Sequence, residues 1–108
     1  MNFAFDLNNG VLNLMLEGRL DTEAAVKFDA AIAEICKNNP HDSLVLDAEK
    51  LEYVASSGLR TILKMVKTEK NFSMVNVSEA VYGVFEMTGF SRIMNISKAL
   101  RKIGTRPQ

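Results

Sequence analysis

The stretch SLVLDAEKLEYVASSGLRTILKMVK, residues 43–67, holds an apolar strand, a polar turn and an amphipathic helix in succession. Its LVL centre (44–46) is continuously apolar, which predicts a strand buried on both faces of a parallel sheet. The helix is predicted to start near Ser56 or Ser57, so that its first turn holds two serines and a glycine. Its apolar residues recur at i, i+3, i+4 and i+7, so they are predicted to face a core: Leu59, Ile62, Leu63 and Val66. Three basic residues fall outside this stripe and are predicted to be exposed: Arg60, Lys64 and Lys67.

The N-terminal segments predict a β-hairpin. FAFDL (3–7) and VLNLMLEG (11–18) each carry apolar residues at alternate positions. They flank NNG (8–10), whose Asn-Gly pair suits a tight turn. One face of the first strand is apolar: Phe3, Phe5 and Leu7. One face of the second strand is likewise apolar: Leu12, Leu14 and Leu16. Val11 and Met15 lie on the opposite face of the second strand, which favours cover on both sides.

Two further helices are predicted on either side of the opening stretch. The first follows GRLD (18–21), where Asp21 or Thr22 can cap it. It ends at NNP (38–40), because the residue before a proline is steered away from helical angles. After a strand at FSMVNV (72–77), Ser78 is predicted to cap another helix that Gly89 stops. IMNI (93–96) is consistent with a last short strand.

The predicted order is strand, strand, helix, strand, helix, strand, helix. Strands that alternate with amphipathic helices imply right-handed crossovers and a mainly parallel sheet. We therefore predict a single α/β domain over residues 1–108. It has a mixed, mainly parallel sheet of four or five strands, an N-terminal hairpin and helices packed on the sheet. Its core spans about 3–97, and 98–108 form a short helix or a frayed tail.

Composition limits the compartment and the partners. The chain has 108 residues, of which 47% are apolar, enough for one domain with a core. Thirteen basic and thirteen acidic residues cancel, which argues against nucleic acid or a membrane surface as partner. One cysteine cannot form an internal disulfide, which suits a reducing cytoplasm. No apolar run approaches the ~20 residues of a membrane span. We expect a cytoplasmic protein without membrane insertion.

Residue types that carry catalytic or metal chemistry are sparse. The two serines lack the Gly-x-Ser-x-Gly spacing of a nucleophile elbow, and there is no glycine-rich phosphate loop with a lysine. The only histidine, His41, follows a proline in a polar turn and is predicted to be solvated rather than a general base. Cys36 lies on the apolar stripe of a helix and is predicted to be an inert core thiol. We expect no enzyme, no cofactor and no metal site.

The turn Ala-Ser-Ser-Gly at 55–58 has two explanations. One serine can cap the helix, accepting an orphan backbone N–H for ~1 kcal/mol. Only one cap is needed, however, and Gly58 early in a helix costs up to ~1 kcal/mol against alanine. No acidic side chain occurs between Tyr53 and Thr68, so the positive helix end has no counter-charge in its own segment. A helix N-terminus is a ready anion site, and this one would accommodate a phosphate on a serine.

The stretch LVLDAEKLEYVASSGLRTIL (44–63) resembles the signature of STAS domains. These are the module of bacterial anti-sigma factor antagonists and of the cytoplasmic ends of sulfate transporters. The family pattern is an apolar strand ending in Asp, followed by Asp-Ser-Ser/Thr-Gly-Leu at the start of a helix. LEGRLD (16–21) is similar to the family's approach to its first helix, and VFEMTGFSRIMNI (84–96) to its closing stretch. The resemblance covers roughly residues 5 to 97 and implies the STAS fold.

The resemblance also implies a function and its residues. In the family, the serine after the motif aspartate is phosphorylated by a partner kinase, which is itself the anti-sigma factor. Here that position is Ser56, with Ser57 as the second choice. The implied partners are an anti-sigma factor serine kinase and a serine phosphatase. The implied partner-binding residues are Asp21, Ser56, Ser57, Gly58, Leu59 and Arg60. Asp21 joins this set because it is expected at the same end of the sheet as Ser56.

This chain departs from the family pattern at the motif aspartate, which is replaced by Ala55. The replacement favours an alternative function, a non-switching STAS scaffold. Such a subunit would dock on a membrane transport ATPase or within a stress-signalling assembly.

Overall fold

The computed structural model describes residues 1–99 as a five-stranded sheet with three α-helices. The strands are ordered β1-β2-β3-β4-β5, and only β1 runs antiparallel to its neighbour. This confirms the predicted α/β class and mixed sheet. In chain order the elements are β1 (Asn2–Asn8), β2 (Val11–Leu20), α1 (Thr22–Asn38), β3 (Ser43–Val54), α2 (Ser56–Thr68), β4 (Phe72–Val77), α3 (Glu79–Met87), a short 3-10 helix (Phe90–Arg92) and β5 (Asn95–Lys98).

The predicted hairpin is confirmed, with Asn8 opposite Val11. The two residues between them have positive φ angles, 53° at Asn9 and 81° at Gly10. Two consecutive positive φ values are those of a type I′ turn, which matches the twist of the flanking strands.

All three helices contribute to one core on a single face of the sheet. Strands β2 to β5 follow one another in chain order, and one α-helix precedes each of the last three. Right-handed crossovers that always step in the same direction place their helices on the same side. The side chains of Phe28, Ile62 and Phe85, one from each helix, are accordingly buried together. Rows of buried strand residues lie beneath them, such as Leu14, Leu46 and Met74 in register.

The opposite face of the sheet is only partly covered, which makes two predictions wrong. In β3, Leu44 and Leu46 are buried but Val45 between them is half-buried, so this strand is not buried on both faces. In β2, Val11 and Met15 are likewise half-buried. A continuously apolar run does not reveal on which side the crossover helices fall.

The first strand is also more exposed than its alternation suggested. Phe3, Phe5 and Leu7 pair with the buried leucines of β2 and therefore point to the helix face. They remain exposed nevertheless, Phe5 by 43%. No crossover helix follows β1, so only the edge of α1 reaches it, through a contact between the rings of Phe3 and Phe28.

Helix α2 presents a slightly different face from the predicted one. Leu59 and Ile62 are buried, and the three basic residues are exposed, as predicted: Arg60, Lys64 and Lys67. Leu63 and Val66 are only half-buried, and their place at the core is taken by Gly58, Thr61 and Met65. The buried stripe is therefore turned toward the glycine, where the helix approaches β2 most closely.

Strand β3 is longer than predicted, because it continues past Ala48 to Val54. An irregularity in its pairing with β2 separates its two halves. There, one carboxylate oxygen of Asp47 accepts hydrogen bonds from the backbone N–H of Glu49 (3.0 Å) and from the side-chain amide of Asn76 (3.1 Å). Asp47 thus holds the backbone of β3 in place at this irregularity.

The last strand begins at Asn95, two residues later than predicted, and reaches Lys98. It therefore includes the first residue of the segment 98–108, for which a short helix or frayed tail was predicted. The remainder of that prediction, from 100 onward, lies outside the described residues. Within residues 1–99, no helix is both long and apolar enough to span a membrane.

Candidate functional site

The N-termini of α1 and α2 lie side by side at the carboxyl ends of the neighbouring strands β2 and β3. Leu20, the last residue of β2, is in register with Val54, the last residue of β3. The backbone N–H of Ala55 donates to the carbonyl of Leu20 at 2.9 Å, which ties the two turns together. Asp21 and Ser56 follow these paired ends, so the structure places them at the same end of the sheet, as the sequence led us to expect.

Asp21 is the N-cap of α1. Its carboxylate accepts a hydrogen bond from the backbone N–H of Ala24 at 2.9 Å. The alternative cap, Thr22, is instead the first helical residue. The capping prediction for Asp21 is therefore confirmed, and its side chain stays exposed beside the next helix.

Helix α2 begins without a side-chain cap, so the prediction that a serine caps it is wrong. The helix starts at Ser56, which puts Ala55 in the capping position with extended angles (φ −82°, ψ 170°). A methyl group cannot accept a hydrogen bond. In contrast, Ser78 caps α3 by accepting from the N–H of Val81 at 3.2 Å. The first turn of α2 also lacks an acidic residue, so the positive charge of this helix end is uncompensated within the helix.

Ala55→Asp is expected to raise the free energy of unfolding by about 1 kcal/mol. The extended backbone at this position suits a capping carboxylate, which would accept an orphan N–H and oppose the helix dipole. Denaturant unfolding followed by circular dichroism measures the change. Ala55→Asn is the matched variant, because it adds a cap without a charge. A loss of stability in both variants would contradict the assignment of Ala55 as the N-cap.

The two serines lie in different environments. Ser56 is exposed at the helix start. The hydroxyl oxygen of Ser57 is buried and finds no hydrogen-bond partner among the described residues. Ser56 is therefore open to solvent, whereas the Ser57 hydroxyl is shielded from it.

Gly58 and Leu59 are buried and support the turn from beneath. A β-carbon built on Gly58 would lie 2.8 Å from the branch carbon of Leu20 and 3.1 Å from its carbonyl oxygen. Only glycine allows α2 to approach β2 this closely. Leu59 is 8% exposed and belongs to the core. Of the expected partner-binding residues, the exposed ones are therefore Asp21, Ser56 and Arg60.

A groove of about 350 Å³ runs between α1 and α2, next to the serines. Ser57 and Arg60 line it from α2, and Val26 and Asp29 from α1. Val26 is 68% exposed, and the carboxylate of Asp29 pairs with the Lys64 ammonium at 2.7 Å. Sequence reasoning missed the α1 side of this groove. The available signal was a valine outside the apolar stripe of α1.

Sequence reasoning also missed a second feature, near the carboxyl ends of β2 and β3. The guanidinium carbon of Arg19, on β2, lies 4.2 Å from the centre of the Tyr53 ring on β3. The two residues are in register on neighbouring strands, one position before the paired strand ends. This cation–π contact holds the Arg19 guanidinium over the Tyr53 ring.

The opposite end of the helices corrects the prediction for His41. Its side chain is only 9% exposed, and its Nε2 lies 2.7 Å from a carboxylate oxygen of Glu69. Nδ1 lies 2.6 Å from the carbonyl of Asn39, to which it donates. Burial by itself lowers the pKa of His41, but the bonds to Asn39 and Glu69, together with the charges of Glu69 and Asp42, outweigh it and raise the pKa above its usual value.

Cys36 lies beside this pair and is half-buried against the core. Burial raises the pKa of its thiol to about 11, with a further contribution from the negative charge and hydrogen bond of Glu69. The thiol is therefore protonated at neutral pH. Cys36 lies at the margin of the core and not within it, where the sequence predicted it.

Comparison with known proteins gives the same fold. The family model of the STAS domain matches residues 2–103. A putative anti-sigma factor antagonist, BtrV of Bordetella bronchiseptica, is 27% identical over 104 residues, which cover 92% of this chain and 88% of that protein. The crystal structure of a putative anti-sigma factor antagonist from Thermotoga maritima superimposes with a TM-score of 0.80 at 23% identity, covering 93% of this chain and 89% of that one.

The fold is also shared with the Bacillus cell fate determinant SpoIIAA in its phosphorylated form. The TM-score is 0.68 at 19% identity, with 95% of this chain and 97% of that one covered. At such identities the structural likeness shows the fold alone. The family model, in contrast, covers nearly the whole sequence, including both turns at the site. With its hairpin, one-sided helices and Ser-Ser-Gly-Leu turn, the chain belongs to the STAS domain family.

Proposed function

We propose that this protein is a cytoplasmic anti-sigma factor antagonist whose partner is an anti-sigma factor serine kinase. In this proposal the unphosphorylated protein binds the kinase through the surface at the carboxyl ends of β2 and β3, where α1 and α2 begin. Phosphorylation of Ser56 then breaks the complex, and a serine phosphatase restores it. Family membership and the names of the relatives support the antagonist role. The protein is therefore proposed to act by binding and not as an enzyme.

One observation carries the choice of Ser56. Ser56 is exposed at a helix N-terminus that has neither a side-chain cap nor an acidic residue, while the neighbouring Ser57 hydroxyl is buried. A phosphate at the first helical residue would lie close to the free N–H groups and the positive end of the dipole. The fold should therefore tolerate it.

The groove beside the serines supports the position of the partner. It combines an exposed apolar side chain, Val26, with charged side chains at its margin, Arg60 and the Asp29–Lys64 pair. Apolar contact surrounded by charged groups is typical of protein interfaces. Phosphorylation would add about −1.5 to −2 charges at this surface. A phosphate pressed against the partner must lose water, which weakens the complex.

Ser56→Asp is expected to lower affinity for the kinase at least about tenfold, equivalent to ~1.4 kcal/mol, without unfolding the protein. Ser56→Ala is expected to bind constitutively. A pull-down from the source cells identifies the kinase, and incubation with that kinase and ATP followed by phosphopeptide mapping locates the label. Ser57→Ala is the matched control and should still be labelled at Ser56. Label on Ser57 alone would overturn the choice of acceptor.

The replacement of the motif aspartate by Ala55 favours a second candidate, a non-switching scaffold. A STAS subunit of this kind would dock on a membrane transport ATPase or in a stress-signalling assembly through the same surface. The mapping experiment separates the two functions. A partner that binds tightly and leaves both serines unlabelled in the presence of ATP would support the scaffold. Labelling restored by Ala55→Asp would show that the aspartate is what kinase recognition lacks.

A further inference from the structure

Cys36, His41 and Glu69 form a cluster at the end of the helices opposite to Ser56. One donor atom from each, Sγ, Nε2 and a carboxylate oxygen, lies within 4.8 Å of the other two. Cys36 belongs to the last turn of α1, His41 to the following loop, and Glu69 directly follows α2. The three residues therefore converge from parts of the chain up to 33 positions apart (69 − 36).

The spacing of these donors fits a small cation. Four-coordinate zinc has bonds of about 2.0–2.1 Å to nitrogen and oxygen, so those two ligands lie roughly 3.3 Å apart. Nε2 and the carboxylate oxygen are now 2.7 Å apart. A small outward rotation of the Glu69 side chain, which is 18% exposed, opens this distance. The Cys36 sulfur lies within 4.8 Å of both of these donor atoms.

The histidine is already oriented as a metal ligand would be. Nδ1–H donates to the carbonyl of Asn39, leaving Nε2 directed at the cluster. Asn39 is itself held by its side-chain amide, which donates to the carbonyl of Ile35 at 2.8 Å. A histidine that binds a metal through one ring nitrogen usually donates its other ring N–H to an acceptor such as a backbone carbonyl, which fixes the orientation of the ring.

The electrostatic surroundings also favour a cation. Both α1 and α2 end at this cluster, so the negative ends of two helix dipoles meet there. A thiolate and a carboxylate together balance the charge of a divalent ion. On binding, the thiol proton and any proton on Nε2 pass to solvent, while the proton on Nδ1 stays there and remains hydrogen-bonded to the Asn39 carbonyl.

We propose that Cys36, His41 and Glu69 form a binding site for a zinc-like divalent cation, with solvent in the fourth position. The mixed sulfur, nitrogen and oxygen donors select borderline-soft metals over magnesium or calcium, which prefer oxygen alone. Cys36 and His41 lie at the end of α1, and Glu69 directly follows α2, so the ion would link the ends of these two helices. This site is at the opposite end of the helices from Ser56. This proposal departs from the prediction from sequence that the chain has no metal site, and it does not depend on the proposed function.

Titration of the untagged full chain with Co²⁺ tests this site directly. One equivalent is expected to produce a thiolate-to-cobalt charge-transfer absorption and the intense visible bands of four-coordinate cobalt, and Zn²⁺ should abolish both. Cys36→Ser should remove the charge-transfer absorption. His41→Gln and Glu69→Gln should each weaken Zn²⁺ binding at least about tenfold, the lower range seen when even an outer-shell partner is lost. Circular dichroism confirms that each variant is folded.

Glu34→Gln is the matched control, because Glu34 is an exposed carboxylate on α1 outside the cluster. Its Zn²⁺ affinity should equal that of the wild type. Absence of the charge-transfer absorption from the folded wild-type protein at excess Co²⁺ would overturn the proposal, whatever the variants do. Zn²⁺ affinity that is unchanged in the three cluster variants would overturn it as well.

Discussion

Phe28→Ala is expected to lower the free energy of unfolding by about 3–5 kcal/mol, the range for removing a buried phenylalanine ring. Phe28 is fully buried between α1 and the sheet. Its ring meets that of Phe3 edge-on at 5.9 Å between centroids, so its loss also removes the aromatic contact between α1 and the edge strand β1. A domain of this size has only about 5–15 kcal/mol of stability to lose.

Phe5→Ala is the matched control for this change. It removes the same ring from the same face of the sheet, but Phe5 is 43% exposed on the edge strand. Chemical denaturation of both variants should therefore show a loss of at most about 1 kcal/mol for Phe5→Ala, since little buried area disappears. Equal losses in the two variants would contradict a core that lies under α1 and stops short of β1.

Gly58→Ala is expected to destabilise the protein by about 2 kcal/mol, although alanine is the better helix former. Two side-chain carbons of Leu20 would lie under 3.0 Å from the new methyl group, one of them the branch carbon. Such overpacking costs about 1–3 kcal/mol, and the crowding here belongs at the upper end because Leu20 is itself fully buried. The gain in helix propensity, up to ~1 kcal/mol, offsets only part of this cost.

Gly83→Ala separates crowding from propensity. Gly83 lies within α3, where an added β-carbon would meet no atom within 4 Å. The same substitution should therefore stabilise the protein by up to ~1 kcal/mol. Denaturant midpoints of the two variants should shift in opposite directions. A stabilising Gly58→Ala would mean that α2 does not approach Leu20 as closely as the structure has it.

Local patterns predicted most of the fold because each depends on neighbouring residues. Asn9-Gly10 determines the hairpin turn, and Asp21 and Ser78 cap their helices as expected. The start of α2 was placed correctly to within a residue, yet that single position decides whether a serine or Ala55 is the cap. The identity of the N-cap changes when the helix start moves by one residue, and apolar periodicity does not define the helix start to one residue.

The features that sequence reasoning missed depend on tertiary placement. One face of the sheet is only partly covered because all crossovers step in the same direction. The apolar character of Val45 and Met15 gives no information about that direction. His41 looked solvated because its partner, Glu69, is 28 residues away along the chain. The candidate phosphorylation site differs from these features, because its motif is contiguous in the sequence. Its position could therefore be proposed from the sequence alone.

The order of the strands has a consequence for how the protein folds. Each strand pairs with the strand directly before it in the chain, so no pairing waits for a later segment. Every loop that must close spans at most one α-helix and its connections, which keeps the entropic cost of each step low. We therefore expect rapid folding for a mainly parallel sheet, with assembly able to advance from β1 toward β5 while synthesis continues.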